Sequence, residues 1–494
     1  MVIDLAGELG LDSDLFRFKT DKARHDPKYN YFVLRELSHL INSYVAHFDV
    51  QNPSELDQMQ KRALKGIIKA TYASADIHFN ETRKHVHELR PEEVDYYIGH
   101  PIRTARLVLE SFTLRGEGSH DSLEDKLTQS LKDPRYQLGY GSTTAISPLP
   151  PLTHDNPERI TDITKKTGII LPRQEAVEIA NQVYTVYGLS KRTLDFLRPQ
   201  LIQLTHNIDT PYLEYLALPH PKILDDAGLF AVGMVRITKP QDRNNNTDMK
   251  KYDPYWQRLK NSLKNLGTLN AHKEWDRAYR EIAGWVNNFS PKYGSPNSLP
   301  VWYVPATRAF TSLGTKTVNE CERIAHESVK TLDDIAYELR QTIERENGDM
   351  RKLTPLEREI AYHTPEILGA ITKVVDNYER AVPTFNQAQV ASSTKRQQKT
   401  IENLIENQTS PDNPAWFDIF KGTLKSYVAT LDIPSEELAL QFPDPKGNRD
   451  IILTAVQAYA HAKLIGKLAG RVSNINDTFI VTEFNYPMPE TVPW

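Results

Sequence analysis

Two histidines and three carboxylates fall within a short span of this chain. His100 lies in Tyr97-Ile98-Gly99-His100-Pro101, and His120 opens His120-Asp121-Ser122-Leu123-Glu124-Asp125. Imidazole nitrogen and carboxylate oxygen together suit a divalent transition metal. Such an ion polarises a phosphoryl oxygen and lowers the pKa of the water it binds. On a helix, His120 and Glu124 lie on neighbouring faces, as do Asp121 and Asp125. His120 and Asp121 can then point at the ion while Glu124 and Asp125 face its water, where a carboxylate acts as general base. His100 closes the coordination from a preceding element. The spacing points to metal-dependent phosphoester hydrolysis.

A nitrogen and oxygen site of this kind needs one more carboxylate. The best placed is Asp242, in Thr238-Lys239-Pro240-Gln241-Asp242-Arg243-Asn244-Asn245-Asn246, where an apolar helix (Leu229, Phe230, Val232, Met234, Val235, Ile237) runs into a polar group. Asn246 shares a helical face with Asp242 and could orient the carboxylate or a substrate hydroxyl. The rivals, Asp209 and the pair Asp225-Asp226, suit a cap or a solvated turn. A second His-Asp pair, His154-Asp155, sits in proline-rich sequence without a Glu-Asp pair behind it. It reads as a turn and helix cap. His85 and His87 read as an exposed helix face.

The elements that must carry these groups are helical. Phe32, Val33, Leu37, Leu40, Ile41, Tyr44, Val45 and Phe48 recur at three and four, as do Leu64, Ile67, Ile68 and Tyr72. Pro101 suits the first turn of a helix with Ile102, Ala105, Val108 and Leu109. Long amphipathic stretches follow at Val318–Asn347, Leu356–Val382, Ala415–Leu431 and Ile451–Ala469. Thr478–Thr482 alternates as a strand would. Residues 138–158, with Pro148, Pro150 and Pro151, read as a long loop. The Pro/Gly/Ser-rich stretch 288–299 reads as a linker. It divides a unit at 1–287, with its motif region at 70–250 and insertions near 138–158 and 172–225, from a helical region at 300–494.

The order Tyr-Ile-x-His-Pro, His-Asp-x-x-Glu-Asp, Thr-Lys and Asp-Arg-x-x-Asn resembles the HD-domain hydrolase of RelA/SpoT-type alarmone enzymes. Here these read Tyr97–Pro101, His120–Asp125, Thr164-Lys165 and Asp242–Asn246. The resemblance implies an all-α HD helical bundle and a manganese ion held by His100, His120, Asp121 and Asp242. It assigns catalysis to Glu124 and Asp125, and substrate contact to Arg90, Lys165 and Asn246. The implied reaction removes pyrophosphate from the 3′ position of guanosine tetra- or pentaphosphate. Two alternatives stand beside it: an HD hydrolase of another nucleotide or phosphoester, and a degenerate HD scaffold that binds partners. The family's nucleotide-synthesising signature, a Walker phosphate loop and a Gly-x-Gly-x-x-Gly element are all absent from the sequence.

Composition narrows the partners. A net charge of −4 with no long basic run leaves no nucleic-acid footprint. Cys321 is the only cysteine, so a disulfide within the chain and a cysteine zinc site are both excluded. No run of about 18 apolar residues occurs, and the first residues lack a basic then apolar leader. A cytoplasmic protein with a nucleotide substrate is expected. The C-terminal helices are the expected surface for a protein partner or for self-association.

Overall fold

This computed structural model describes residues 6–82 without 8, 49 and 51, then 94–112, 148–205 and 226–248, most of 255–269, then 303–381 and 447–483. The fold is all-α. Among the described residues the extended pairing is limited to a single bridge between Thr82 and Tyr96.

The first core is built on two capped helices. Helix α1 spans Pro27–His47; the Asp26 side chain accepts from the amides of Lys28 and Tyr29, and Pro27 takes the first position, where a missing N–H costs nothing. Helix α2 spans Gln58–Ile77 and opens with a capping box between Asp57 and Gln60. The apolar faces read from the sequence bury against each other. The Tyr29 hydroxyl crosses to the Ala75 carbonyl at 2.6 Å and that of Tyr44 to the Gln60 carbonyl at 3.0 Å. Helix α3, Gly99–Phe112, lies against α1. Their approach is close enough that a Cβ on Gly99 would stand 2.9 Å from Phe32 Cζ.

Helices α4 (Leu149–Thr153), α5 (Asn156–Lys165), α6 (Arg173–Val186) and α7 (Lys191–Leu204) complete this unit. Residues 148–158 were expected to be loop, and they are largely helical. The prolines explain the difference. Pro150 and Pro151 occupy the first turn of α4, where amides have no intrahelical acceptor to lose. The expected insertion at 172–225 is filled by α6 and α7 as far as residue 204.

Helix α8, Asp226–Asp248, joins the two halves. It packs on α3, α4 and α7 on one side and on α9, Tyr303–Arg345, on another. It runs antiparallel to α3: Gln241 Nε2 donates to Ser111 Oγ at 2.5 Å, and Asn245 four residues later reaches Thr104 and His100.

The second core is formed by α9, α10 (Pro355–Ala381) and α11 (Gly447–Glu483). It includes Leu259 and Leu266, so the described part of 255–269 contributes to the core of the C-terminal helices. Thr478–Thr482, read as a strand, lies inside α11. Pro365 breaks α10, with His363 off helical geometry. A proline there deprives the Ala361 carbonyl of its donor, and Arg340 of α9 supplies one at 2.7 Å. The stretch 288–299 and the expected helix Ala415–Leu431 lie outside the described residues.

Candidate metal centre

Three elements meet around one buried cluster. His100 comes from the first turn of α3, His154 and Asp155 from the junction of α4 and α5, and Asp242 from α8. His100 Nε2 lies 3.0 Å from Asp242 Oδ1 and 3.5 Å from Asp155 Oδ2. His154 Nε2 lies 3.0 Å from Asp155 Oδ1 and 3.9 Å from Asp242 Oδ1. Ligand atoms of His100, His154 and Asp242 all fall within 4.8 Å of one another. Around an ion with bonds of about 2.1 Å, neighbouring ligand atoms sit about 3.0–3.4 Å apart. The cluster is close to that spacing.

The chemistry of His154 tests the fit. Its Nδ1 stands 2.6 Å from the Pro151 carbonyl, which can only accept, so Nδ1 carries the proton. In the neutral ring Nε2 is then a lone pair, and it faces two carboxylates. It is buried, and in that state it has no hydrogen to give the carboxylates it faces. A lone pair aimed at anionic oxygens in the interior is unfavourable unless a cation stands between them or the ring takes a second proton. The direction of titration agrees. Burial opposes charge on His154, but Asp155 and then Asp242 outweigh it and raise its pKa. Burial also opposes ionisation of Asp242, but His100 and His154 beside it hold its carboxyl well below the usual range. Asp155 is likewise lowered, burial being outweighed by His154 and His100. The pocket is built for two negative charges balanced by positive charge, and its two imidazoles and two carboxylates form a suitable donor set for a divalent ion.

Helix α8 orients the ligands from behind. Asn246 Nδ2 donates to Asp242 Oδ1 at 2.9 Å, the one-turn relation expected from their spacing. Asn245 Nδ2 stands 2.6 Å from His100 Nδ1 and donates to the His100 carbonyl at 2.9 Å. The carbonyl can only accept, so this amide nitrogen also meets Nδ1 as a donor; the neutral ring then carries its proton on Nε2, toward Asp242, and gives it up when an ion binds there.

The structure thus brings together His100, Asp242 and Asn246 of the residues singled out in the sequence. It does not bring Lys165 to them. That residue is exposed in the last turn of α5, ten positions beyond Asp155, a rise of about 15 Å along the axis. Arg90, His120, Asp121, Glu124 and Asp125 lie outside the described residues.

His154 and Asp155 are the pair that sequence reasoning set aside. Asp155 does occupy the position before α5, but its side chain makes no capping bond. It turns inward to His154 and His100 instead. A signal was present: Glu158 follows Asp155 at the offset by which Glu124 follows Asp121, with Arg159 where the first motif has Asp125. Arg159 forms an ion pair with Glu81 at 3.1 Å.

The chain matches no protein-family model, no curated protein and no solved structure. Among the described residues no helix is long and apolar enough to cross a membrane.

Proposed function

We propose that the protein is a divalent-metal-dependent phosphohydrolase of the HD type, with His100, His154, Asp155 and Asp242 as the metal ligands. The observation that carries this reading is the fixed, buried Nε2 of His154, 3.0 Å from Asp155 Oδ1 and 3.9 Å from Asp242 Oδ1. A bound ion supplies a Lewis acid for a phosphoryl oxygen and an acidified water. The chain's own residues hold and orient it. Asn246 braces Asp242, Asn245 braces His100, and the Pro151 carbonyl sets the tautomer of His154.

Glu158 follows Asp155 in α5 at the offset by which Glu124 follows Asp121, and on that spacing it is the carboxylate we put forward as general base. Manganese and a guanosine 3′-pyrophosphate alarmone are the metal and substrate we put first, on the resemblance of the motif order. The pair in the cluster is followed by Glu158-Arg159, not Glu-Asp, so other nucleotides and phosphoesters belong in the same assay.

The test incubates the purified protein with Mn²⁺ and a nucleotide panel that includes the alarmone, and follows phosphate and pyrophosphate release. Metal-dependent release that vanishes in His154→Ala supports the reading. Release that survives in His154→Ala refutes the assigned centre. Bound metal with no turnover on any substrate leaves a metal-holding scaffold in place of an enzyme. Glu158→Gln is expected to keep the metal and lose turnover.

A further inference from the structure

We propose that Tyr97 is a positioning residue for the metal centre, its hydroxyl fixing which oxygen of Asp155 faces the ion. The inference rests on the centre proposed above. Tyr97 Oη donates to Asp155 Oδ2 at 2.8 Å, while Asp155 Oδ1 lies 3.0 Å from His154 Nε2. The phenol hydrogen bond pins the carboxylate plane and leaves Oδ1 turned toward His154. Oδ1 is therefore the donor left for an ion beside His154, and Asp155 is held to a single-oxygen mode. Freed of the phenol, the carboxylate can rotate and offer both oxygens.

Tyr97 is itself held by a buried polar network on the far side from the cluster. Its ring stacks on His78 with centroids 4.8 Å apart and meets the His100 ring edge-on at 5.8 Å. His78 Nδ1 lies 2.6 Å from Glu81 Oε2, and Nε2 lies 3.0 Å from Asn156 Oδ1. The orientation of Asn156 is not arbitrary. Its Nδ2 donates to Ser74 Oγ at 2.8 Å and to Tyr184 Oη at 2.6 Å, and Ser74 gives its own hydrogen to the Leu152 carbonyl. Ser74 can therefore only accept from Asn156. His78 has a buried acceptor within reach of either nitrogen, which holds the ring that Tyr97 rests on. Asn156 directly follows Asp155 in the chain, so the same network fixes Asp155 from its backbone and, through Tyr97, from its side chain. Buried hydrogen-bond networks of this kind rigidify what they touch.

The experiment uses the full chain. Mn²⁺ affinity is measured by calorimetry, and the visible spectrum of bound Co²⁺, whose intensity reports coordination number, is recorded for the wild type, Tyr97→Phe and Asp242→Asn. Tyr97→Phe keeps the ring on His78 and removes only the hydroxyl. The expected result is an affinity about 10- to 100-fold lower and an altered Co²⁺ spectrum. A wild-type affinity and spectrum in Tyr97→Phe, with binding lost in Asp242→Asn, would overturn the role of Tyr97 and leave the centre standing. No uptake of either metal by the wild type would overturn both. Should Tyr97→Phe fail to fold, fluorotyrosine at position 97 keeps ring and hydroxyl but changes the donor strength. A shifted Co²⁺ spectrum then supports the proposal, and an unshifted one overturns it.

Discussion

Asp155→Asn is the perturbation that separates the two His-Asp pairs of this chain. The change is isosteric and leaves an amide oxygen able to accept from Tyr97, but it removes one of the two negative charges that face His154 and His100. Groups that only orient ligands cost about 10- to 100-fold in metal affinity when lost, so replacing a ligand carboxylate by an amide costs at least about 100-fold. With free metal at about 100 times the wild-type Kd, binding stabilises the native state by about 2.7 kcal/mol. At the same metal concentration the variant sits near its own Kd and gains only about 0.4 kcal/mol. At about 2–4 °C per kcal/mol for a unit of this size, the metal-induced rise in melting temperature falls from about 5–10 °C to about 1–2 °C. The assay is a thermal melt with and without Mn²⁺, each variant compared with its own metal-free state. Asp121→Asn is run beside it. A full metal shift in Asp155→Asn together with its loss in Asp121→Asn would return the ion to the first His-Asp pair and refute the assignment.

Asn246→Ala removes the bond to Asp242 Oδ1 and is expected to weaken Mn²⁺ binding about tenfold or more, measured by calorimetry, with the metal-free melt little changed. Arg340→Met strips the Ala361 carbonyl of the donor that replaces the one lost to Pro365. The expected cost is about 1–3 kcal/mol, read as a lower urea midpoint; an unchanged midpoint would mean the carbonyl needs no protein donor. His461 is fully buried in the second core, and burial lowers its pKa from 6.5 to about 3. The unfolded chain binds this proton more readily than the folded one, so the contribution to stability is complete above about pH 6.5 and is lost as pH falls toward 3. The loss at pH 5 is about 2 kcal/mol. His461→Gln, which cannot take the proton, should flatten the fall in urea midpoint between pH 7 and pH 5, and an equal slope in both proteins would remove His461 from the acid response.

The helices were legible because their apolar residues recur at three and four over long stretches. Of the residues in the cluster, His100 and Asp242 were singled out by the order of their motifs, and Asn246 by its one-turn spacing from Asp242, which its bond to Oδ1 follows. His154 and Asp155 were not, because three nearby prolines signal a loop to any local reading. Proline disrupts a helix only where it removes a bond, and the first turn of α4 has none to remove. Thr478–Thr482 failed for the opposite reason. Its β-branched alternation is a weak local preference, and the helix that contains it runs through. The two ends of the site, Asp155 and Asp242, meet only through the packing of α3, α4 and α8, which no window of sequence contains.

Helix α8 limits how this chain can be divided in the laboratory. Its last turns carry Asp242, Asn245 and Asn246 to the cluster, and Thr247, the next residue, accepts a bond from Asn265 at 2.8 Å. Asn265 belongs to the segment whose Leu259 and Leu266 are buried with the C-terminal helices, and whose Arg258 is paired with Glu320 at 2.8 Å and with Glu327 of α9. A fragment ended in the Pro/Gly/Ser-rich stretch at 288–299 would keep every proposed ligand and still expose those leucines and leave Arg258 without its acids. Such a fragment would invite aggregation, and a failure to bind metal in it would report the loss of its C-terminal packing, not the absence of a site. Dissection of this protein is better done by point substitution in the whole chain.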